Sequence, residues 1–170
     1  MATTYELIAS TTVGSGGSAS VTFSSISSSY TELKIVYSCR SSVVYNEVHF
    51  QFNSSSSSYS GKILSGNGSS ASSFGGGSAE IQGSMSVPSG YTSNTFANGE
   101  IYIPNYTSSN NKSVSMDSVQ ENNSSSATMQ LAAGLWSNSS AVSSIRFFPA
   151  TDTGTLVQYS TFYLYGIKNS

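Results

Sequence analysis

The single histidine is the one side chain in this sequence that could act as a general base near neutral pH. His49 lies in "NEVHFQFN", two residues after Glu47, so both side chains share a face if this stretch is a β-strand. Together with a serine nucleophile, His49 and Glu47 have the residue types of a Ser–His–carboxylate triad. Serine makes up roughly a quarter of the chain, so such a match arises by chance. We therefore predict no enzymatic role and expect His49 to be solvated or to lie at an interface.

The other residues that carry chemistry predict neither a metal ion nor a cofactor. One cysteine, Cys39, excludes an internal disulfide and cysteine-based metal motifs, and we expect it in the core. Asp117 and Glu121 are close in sequence, but "MDSVQENN" lacks the regular oxygen ligands and the glycine of a calcium loop. The stretches "GSGGS" and "SFGGGS" lack the lysine of a phosphate-binding loop.

Charge is scarce and evenly scattered. Charged residues are 8% of the chain, and 6 basic and 8 acidic side chains give a formal net charge of −2. No basic stripe indicates nucleic-acid binding, and no apolar run of about 18 residues indicates membrane insertion. The start, "MATTYELIAS", has no secretory signal pattern. A surface made soluble by hydroxyls and amides suits a protein that works outside a cell without having been secreted, as a virion component released by lysis would.

The elements that must position these side chains are β-strands, because apolar residues recur with a period of two. Aromatics are 12% of the chain, which argues against disorder. In "NEVHFQFN", Val48, Phe50 and Phe52 share a dry face opposite Glu47 and His49. "ATMQLAAGLW" alternates in the same way, and we predict that Met129, Leu131 and Ala133 form its buried face. A short helix over 126–136 is the alternative for this segment, since it holds the best helix formers of the chain.

Turn and loop residues separate the strand candidates. "VGSGGS" at 13–18 predicts a hairpin between the first and second strands. The serine run at 54–58 predicts a loop at one end of the fold, and 65–78 predicts a long flexible loop. Eight to ten short strands without alternating helices predict one all-β domain over residues 1–170. We expect a single antiparallel β-sandwich, jelly-roll-like, with long Ser/Gly/Asn loops.

Four tyrosines in or beside predicted loops are the candidate exposed contact residues: Tyr45, Tyr59, Tyr91 and Tyr106. Tyrosine among Ser, Gly and Asn is typical of adaptable binding loops, because the ring gives contact area at a low entropic cost. The alternative is that these rings cap the ends of the core. Trp136 is expected in the core or at a subunit interface.

Three blocks of the sequence resemble a known group. "ATTYELIASTTVGSGGSASVTFSSI" with "YTELKIVYSCR", then "NGEIYIPNYTSSNNKSVSMDSVQEN", and finally "VQYSTFYLYGIKNS" are similar to small serine-rich virion structural proteins of tailed, notably marine, bacteriophages. The resemblance covers most of the chain. It implies a capsid decoration (cement) or head-fibre protein, or a fibre module, and transfers no functional residues.

Two functions remain open on these grounds. The first is a non-enzymatic decoration or head-fibre protein on the outer capsid surface, which would contact the major capsid protein or another virion protein. The second is a tail-fibre or adhesin module that binds host surface glycans. In both cases the protein would assemble in the host cytoplasm and end in the virion. Charge-poor edge strands invite pairing with another chain, so we also expect a homo-oligomer, with a homotrimer as the first expectation.

Overall fold

The architecture is all-β, as predicted. The structure, a computed structural model, describes residues 4–123 and 127–168. Within these residues the one helical segment is a 3-10 turn, Ala150–Asp152, and no helix is long and apolar enough to cross a membrane. The strands number twelve, more than the eight to ten predicted. They are β1 (Tyr5–Thr12), β2 (Val21–Phe23), β3 (Glu32–Cys39), β4 (Glu47–Phe52), β5 (Tyr59–Gly66), β6 (Ala71–Gly75), β7 (Ile81–Met85), β8 (Ala97–Pro104), β9 (Lys112–Gln120), β10 (Thr128–Trp136), β11 (Ile145–Pro149) and β12 (Thr161–Ile167).

The strands form two sheets, which confirms the antiparallel β-sandwich. The large sheet has eight strands in the order β1-β12-β3-β8-β9-β10-β5-β6, and the small sheet has four in the order β2-β11-β4-β7. Every pair of neighbouring strands is antiparallel. The first four strands alternate between the sheets, whereas β8, β9 and β10 form a meander within the large one. β7 packs across the inner side of β9 and β10.

Aromatic rings fill the space between the two sheets. Phe50 and Phe147 of the small sheet have their ring centroids 5.4 Å apart, and Phe147 lies 5.0 Å from Phe162 of the large sheet. Tyr37 stacks on Phe162 at 5.8 Å. All four side chains are almost wholly buried. The alternation recognised in the sequence thus produces this core, because the side chains of a strand point to opposite faces in turn.

The glycine-rich turn at 13–18 is present, but it does not make the predicted hairpin. Gly17, with a φ of +69°, closes the turn by donating its N–H to the carbonyl of Gly14 at 3.0 Å. The strands on either side then enter different sheets, since β1 pairs with β12 and β2 pairs with β11. A tight turn reverses the chain, but burial selects the partner strand, and Val21 and Phe23 are buried in the small sheet.

One further expectation about a segment is wrong, and one alternative is excluded. The stretch 65–78 is a hairpin in part, since β6 pairs with β5 through the turn at Asn67 and Gly68. Asn67 Oδ1 accepts hydrogen bonds from the backbone N–H groups of Ser69 at 3.0 Å and Ser70 at 2.8 Å. The helix alternative for 126–136 is excluded within the described residues, because 128–136 is strand β10, as the alternation predicted; Ser126 lies outside the described residues. The serine run at 54–58 is the predicted loop, which leads from β4 in the small sheet to β5 in the large one.

Candidate functional site

The outer face of the large sheet carries a contiguous patch of exposed apolar side chains. We call the four residues Leu64, Val119, Met129 and Leu131 the outer patch. Leu131 stands directly opposite Leu64 across β10 and β5, and Met129 stands opposite Val119 across β10 and β9. Met129 and Leu131 are each 60% exposed, Leu64 is 53% exposed and Val119 is 40% exposed. Together they present roughly 400 Å² of surface, which is the size of a functional patch on a typical monomer.

The outer patch arises because β10 faces the opposite way from the prediction. Gln130, Ala132 and Trp136 point into the protein, while Met129 and Leu131 point to solvent. Trp136 decides the orientation, since it is 1% exposed and stacks on Tyr59 with centroids 6.1 Å apart. Ala133, also predicted to be buried, is exposed with them. The size of Trp136 was the signal in the sequence for this orientation of β10, because its ring buries more apolar area than any other side chain of the strand.

The surroundings of the outer patch are nearly free of charge. Asp117 lies opposite Leu131 on the β9 side, and Lys62 lies opposite Ala133 on the β5 side. The patch borders β6, which is the last strand of the large sheet and is exposed along its whole length. A depletion of charge with an apolar centre and a few opposite charges at the margin is typical of a protein–protein interface.

The four predicted contact tyrosines do not form a common surface. Tyr45 is 53% exposed, as predicted, in the connection between β3 and β4. Tyr91 is half-buried and packs against the apolar cluster of Met85, Val87 and Ala97.

Tyr59 and Tyr106 are buried, so the prediction that they are exposed contact residues is wrong. Tyr59 is 5% exposed; its hydroxyl accepts a hydrogen bond from the backbone N–H of Phe52 at 2.8 Å and lies 3.3 Å from the Phe52 carbonyl. Burial raises the pKa of the Tyr59 phenol to about 12. Tyr106 is fully buried, donates its hydroxyl to the carbonyl of Ser27, and has its pKa raised by burial. Both rings close the ends of the core, which is the alternative that the sequence left open.

His49 is buried between carboxylates, so it is not the solvated histidine that the sequence suggested. It is 7% exposed, and its Nε2 lies 3.0 Å from Oε2 of Glu47. Its Nδ1 lies 3.5 Å from Oε1 of Glu80 without hydrogen-bond geometry, and its ring meets Phe148 edge-on. No serine hydroxyl is hydrogen-bonded to His49 in the described part of the chain. The Ser–His–Glu triad considered from the sequence is therefore not formed among these contacts.

Cys39 is fully buried, as predicted, and burial raises the pKa of its thiol to about 12. Across residues 4–123 and 127–168, no three or more His, Cys, Asp or Glu side chains are grouped so that they could hold a metal ion. Comparison of the chain with models of protein families, with curated protein sequences and with solved structures found no match.

Proposed function

We propose that this protein is a non-enzymatic structural component of a virion, of the capsid decoration or head-fibre type, which assembles through the outer patch. The observation that carries the proposal is an exposed apolar patch on an eight-stranded, charge-poor sheet. The largest apolar patch on a monomer is often a functional surface, and protein–protein contact is one such function. The resemblance of the sequence to serine-rich phage structural proteins supplies the virion context.

The strand order supports the jelly-roll description that belongs to this proposal. The first four strands of the large sheet have the order β1-β12-β3-β8, and the small sheet has the order β2-β11-β4-β7. This is the order that two interleaved Greek keys generate, as in jelly-roll domains of viral capsids. Strands β9, β10, β5 and β6 extend the first of these four-stranded halves and carry the outer patch. In this description the extension is an addition to an eight-stranded framework and provides the surface for assembly.

The occupant that we propose for the outer patch is a second copy of this chain. Asp117 and Lys62 lie on opposite sides of the patch, so two copies can bring unlike charges together around an apolar centre. A stable interface buries about 800 Å² on each partner, so the patch would supply roughly half of it. The adjoining unpaired edge of β6 is free of charged residues and would be covered in the same contact.

The glycan-binding adhesin is the weaker alternative in the form that the sequence suggested. It requires a groove lined by the loop tyrosines, and of these Tyr59 and Tyr106 are buried.

The oligomer is tested by sedimentation of the purified protein and of Leu131→Asp. We expect the unaltered chain to sediment as a multiple of its 17.8 kDa mass and the variant as a monomer, because a carboxylate at the patch centre would be buried unpaired. Leu7→Asp is the matched control, since Leu7 is 52% exposed on β1 at the far edge of the same sheet. A monomeric parent at micromolar concentration, or a variant that still assembles, would contradict the proposal.

The virion location is tested by cryo-EM of the particle that carries this protein. The proposal requires ordered density for the domain at symmetric positions on the shell. Density at the tail alone would refute the decoration role. Hydrolysis of a host polysaccharide by the pure protein would refute the non-enzymatic assignment.

A further inference from the structure

A polar cleft of about 280 Å³ opens on the other side of the sheet from the outer patch. One wall is the start of β4 with the residue before it, Asn46 and Glu47, and the floor is formed by β10, β5 and β6. Its volume is close to the lower end of small-molecule sites, roughly 300 Å³. The cleft therefore has room for a small ligand and lies on the opposite face of the sheet from the outer patch, meeting the surface assigned to assembly only at strand β6.

The floor of the cleft is a row of hydrogen-bonding side chains. Gln130 stands directly opposite Ser65, and Ser65 stands directly opposite Ser72, so the three side chains lie on one face. An amide and two hydroxyls supply both donors and acceptors. Such a mixture matches a ligand that itself carries adjacent donors and acceptors.

Gln130 is held in place but is only partly satisfied. Its side-chain amide donates to Glu47 Oε1 at 3.3 Å, while Glu47 Oε2 lies 3.0 Å from His49 Nε2. Gln130 is 6% exposed, and its Oε1 has no hydrogen-bond partner. That oxygen has less than 1 Å² of accessible surface, so it is closed to a ligand. Ser72 is exposed and Ser65 is partly exposed, so their hydroxyls are the groups of the floor that a ligand can reach. The buried His49–Glu47 contact gives this amide a fixed orientation.

An aromatic ring borders the same cleft. Phe74 faces the same side as Ser72, because it stands opposite the buried Ile63 across β5 and β6. It is 44% exposed, on the edge strand of the sheet. An exposed ring next to hydroxyl and amide groups can pack on the C–H face of a pyranose while the polar groups bind its hydroxyls.

Charge narrows the class of ligand. Glu47 contributes a carboxylate, and none of the described residues that line the cleft is Lys or Arg. Repulsion from this carboxylate disfavours acidic ligands. A wholly apolar ligand would leave the polar floor unsatisfied.

We propose that this cleft binds one unit of a neutral saccharide, with Phe74 against the ring and Ser65 and Ser72 on its hydroxyls. The proposal does not depend on the assembly role of the outer patch. A domain that assembles through one face would thus present a sugar-binding cleft on another.

The test uses saturation-transfer NMR with four neutral trisaccharides: maltotriose, cellotriose, mannotriose and N,N′,N″-triacetylchitotriose. The anionic 3′-sialyllactose is the charge control. We expect at least one neutral probe to bind with a Kd of about 1 mM or lower and to shift the Gln130 side-chain amide signals. The absence of binding by all neutral probes at about 10 mM would overturn the proposal. So would shifts confined to residues outside the cleft, or equal binding of the anionic probe.

Variants locate the binding surface. Ser72→Ala removes an exposed hydroxyl of the floor, and Phe74→Ala removes the exposed ring without disturbing the core. We expect Phe74→Ala to weaken binding about tenfold. Leu7→Ala is the control, because Leu7 is an exposed apolar residue on β1, at the far edge of the same sheet and outside the outer patch. Equal affinity of Phe74→Ala and Leu7→Ala would overturn the assignment.

Discussion

Arg40 fastens the loop between β7 and β8, and replacing it should loosen that loop. Its Nη1 donates to the carbonyls of Thr92 at 2.8 Å and Thr95 at 3.2 Å. Its Nη2 donates to the carbonyls of Ser89 at 3.2 Å and Tyr91 at 2.9 Å. Burial lowers the pKa of the guanidinium from its ordinary value, but an arginine remains charged at neutral pH. One planar side chain thus holds four carbonyls that would otherwise face solvent or each other.

The expected loss is worked from these bonds. Each is worth about 0.5–1.5 kcal/mol net, and exposure of the site puts them at the low end of that range. We therefore expect Arg40→Met to reduce the free energy of unfolding by about 2–3 kcal/mol. Arg40→Lys keeps the charge but not the planar fork, so it should recover about half of the loss.

Urea unfolding measures the free energy, and amide hydrogen exchange at 89–95 reports the loosening of the loop. Arg146→Met is the matched control, because Arg146 pairs with the exposed Asp152 at 2.6 Å. An exposed ion pair contributes about 0–1 kcal/mol, so this variant should lose less than Arg40→Met. A loss below about 0.5 kcal/mol for Arg40→Met, with unchanged exchange at 89–95, would refute the reasoning.

Three further outcomes follow from the core. The free energy of unfolding should fall as the pH rises from about 9 to 12. Burial raises the pKa values of Cys39 and Tyr59 to about 12, so these groups ionise in the unfolded chain before they ionise in the folded one. Cys39→Ala should therefore shift the onset of this loss to higher pH in urea titrations. Gly83→Ala should destabilise by more than about 1 kcal/mol in thermal melts, since Gly83 has a φ of +104° and an added Cβ would lie 2.6 Å from Ala132. Trp136→Ala should lose about 3–5 kcal/mol in urea unfolding, because Trp136 is 1% exposed.

Much of the fold is predictable from local pattern. The alternation in β3, β4, β8, β9, β11 and β12 assigns their inner faces correctly, because the apolar residues that recur there with a period of two are buried. The hairpin of β5 and β6 was also within reach, since Asn67 and Gly68 form the dipeptide that favours a tight turn. Serine-rich composition obscured that signal.

The candidate sites could not be predicted from the local sequence pattern. Apolar residues occupy both faces of β10, so period two does not tell whether Leu131 or Trp136 is buried. The outer patch exists because Trp136 is buried and Leu131 is therefore exposed. In the same way, Tyr59 and Tyr106 sit among serines and asparagines in sequence, yet long-range contacts with Phe52 and Ser27 bury them. The polar cleft joins residues from β4, β6 and β10, which no local pattern relates.

By itself, therefore, the sequence determined an all-β chain with a charge-poor surface and a single inert cysteine, because strand period, composition and residue counts are local properties. Only the tertiary structure decided that β1 pairs with β12, that Trp136 turns β10 so that Leu131 faces outward, and that Gln130 meets Glu47 across the cleft. The physical reason is that strand pairing and burial depend on partners far away along the chain, and the packing of large rings outweighs the local preference of any one strand.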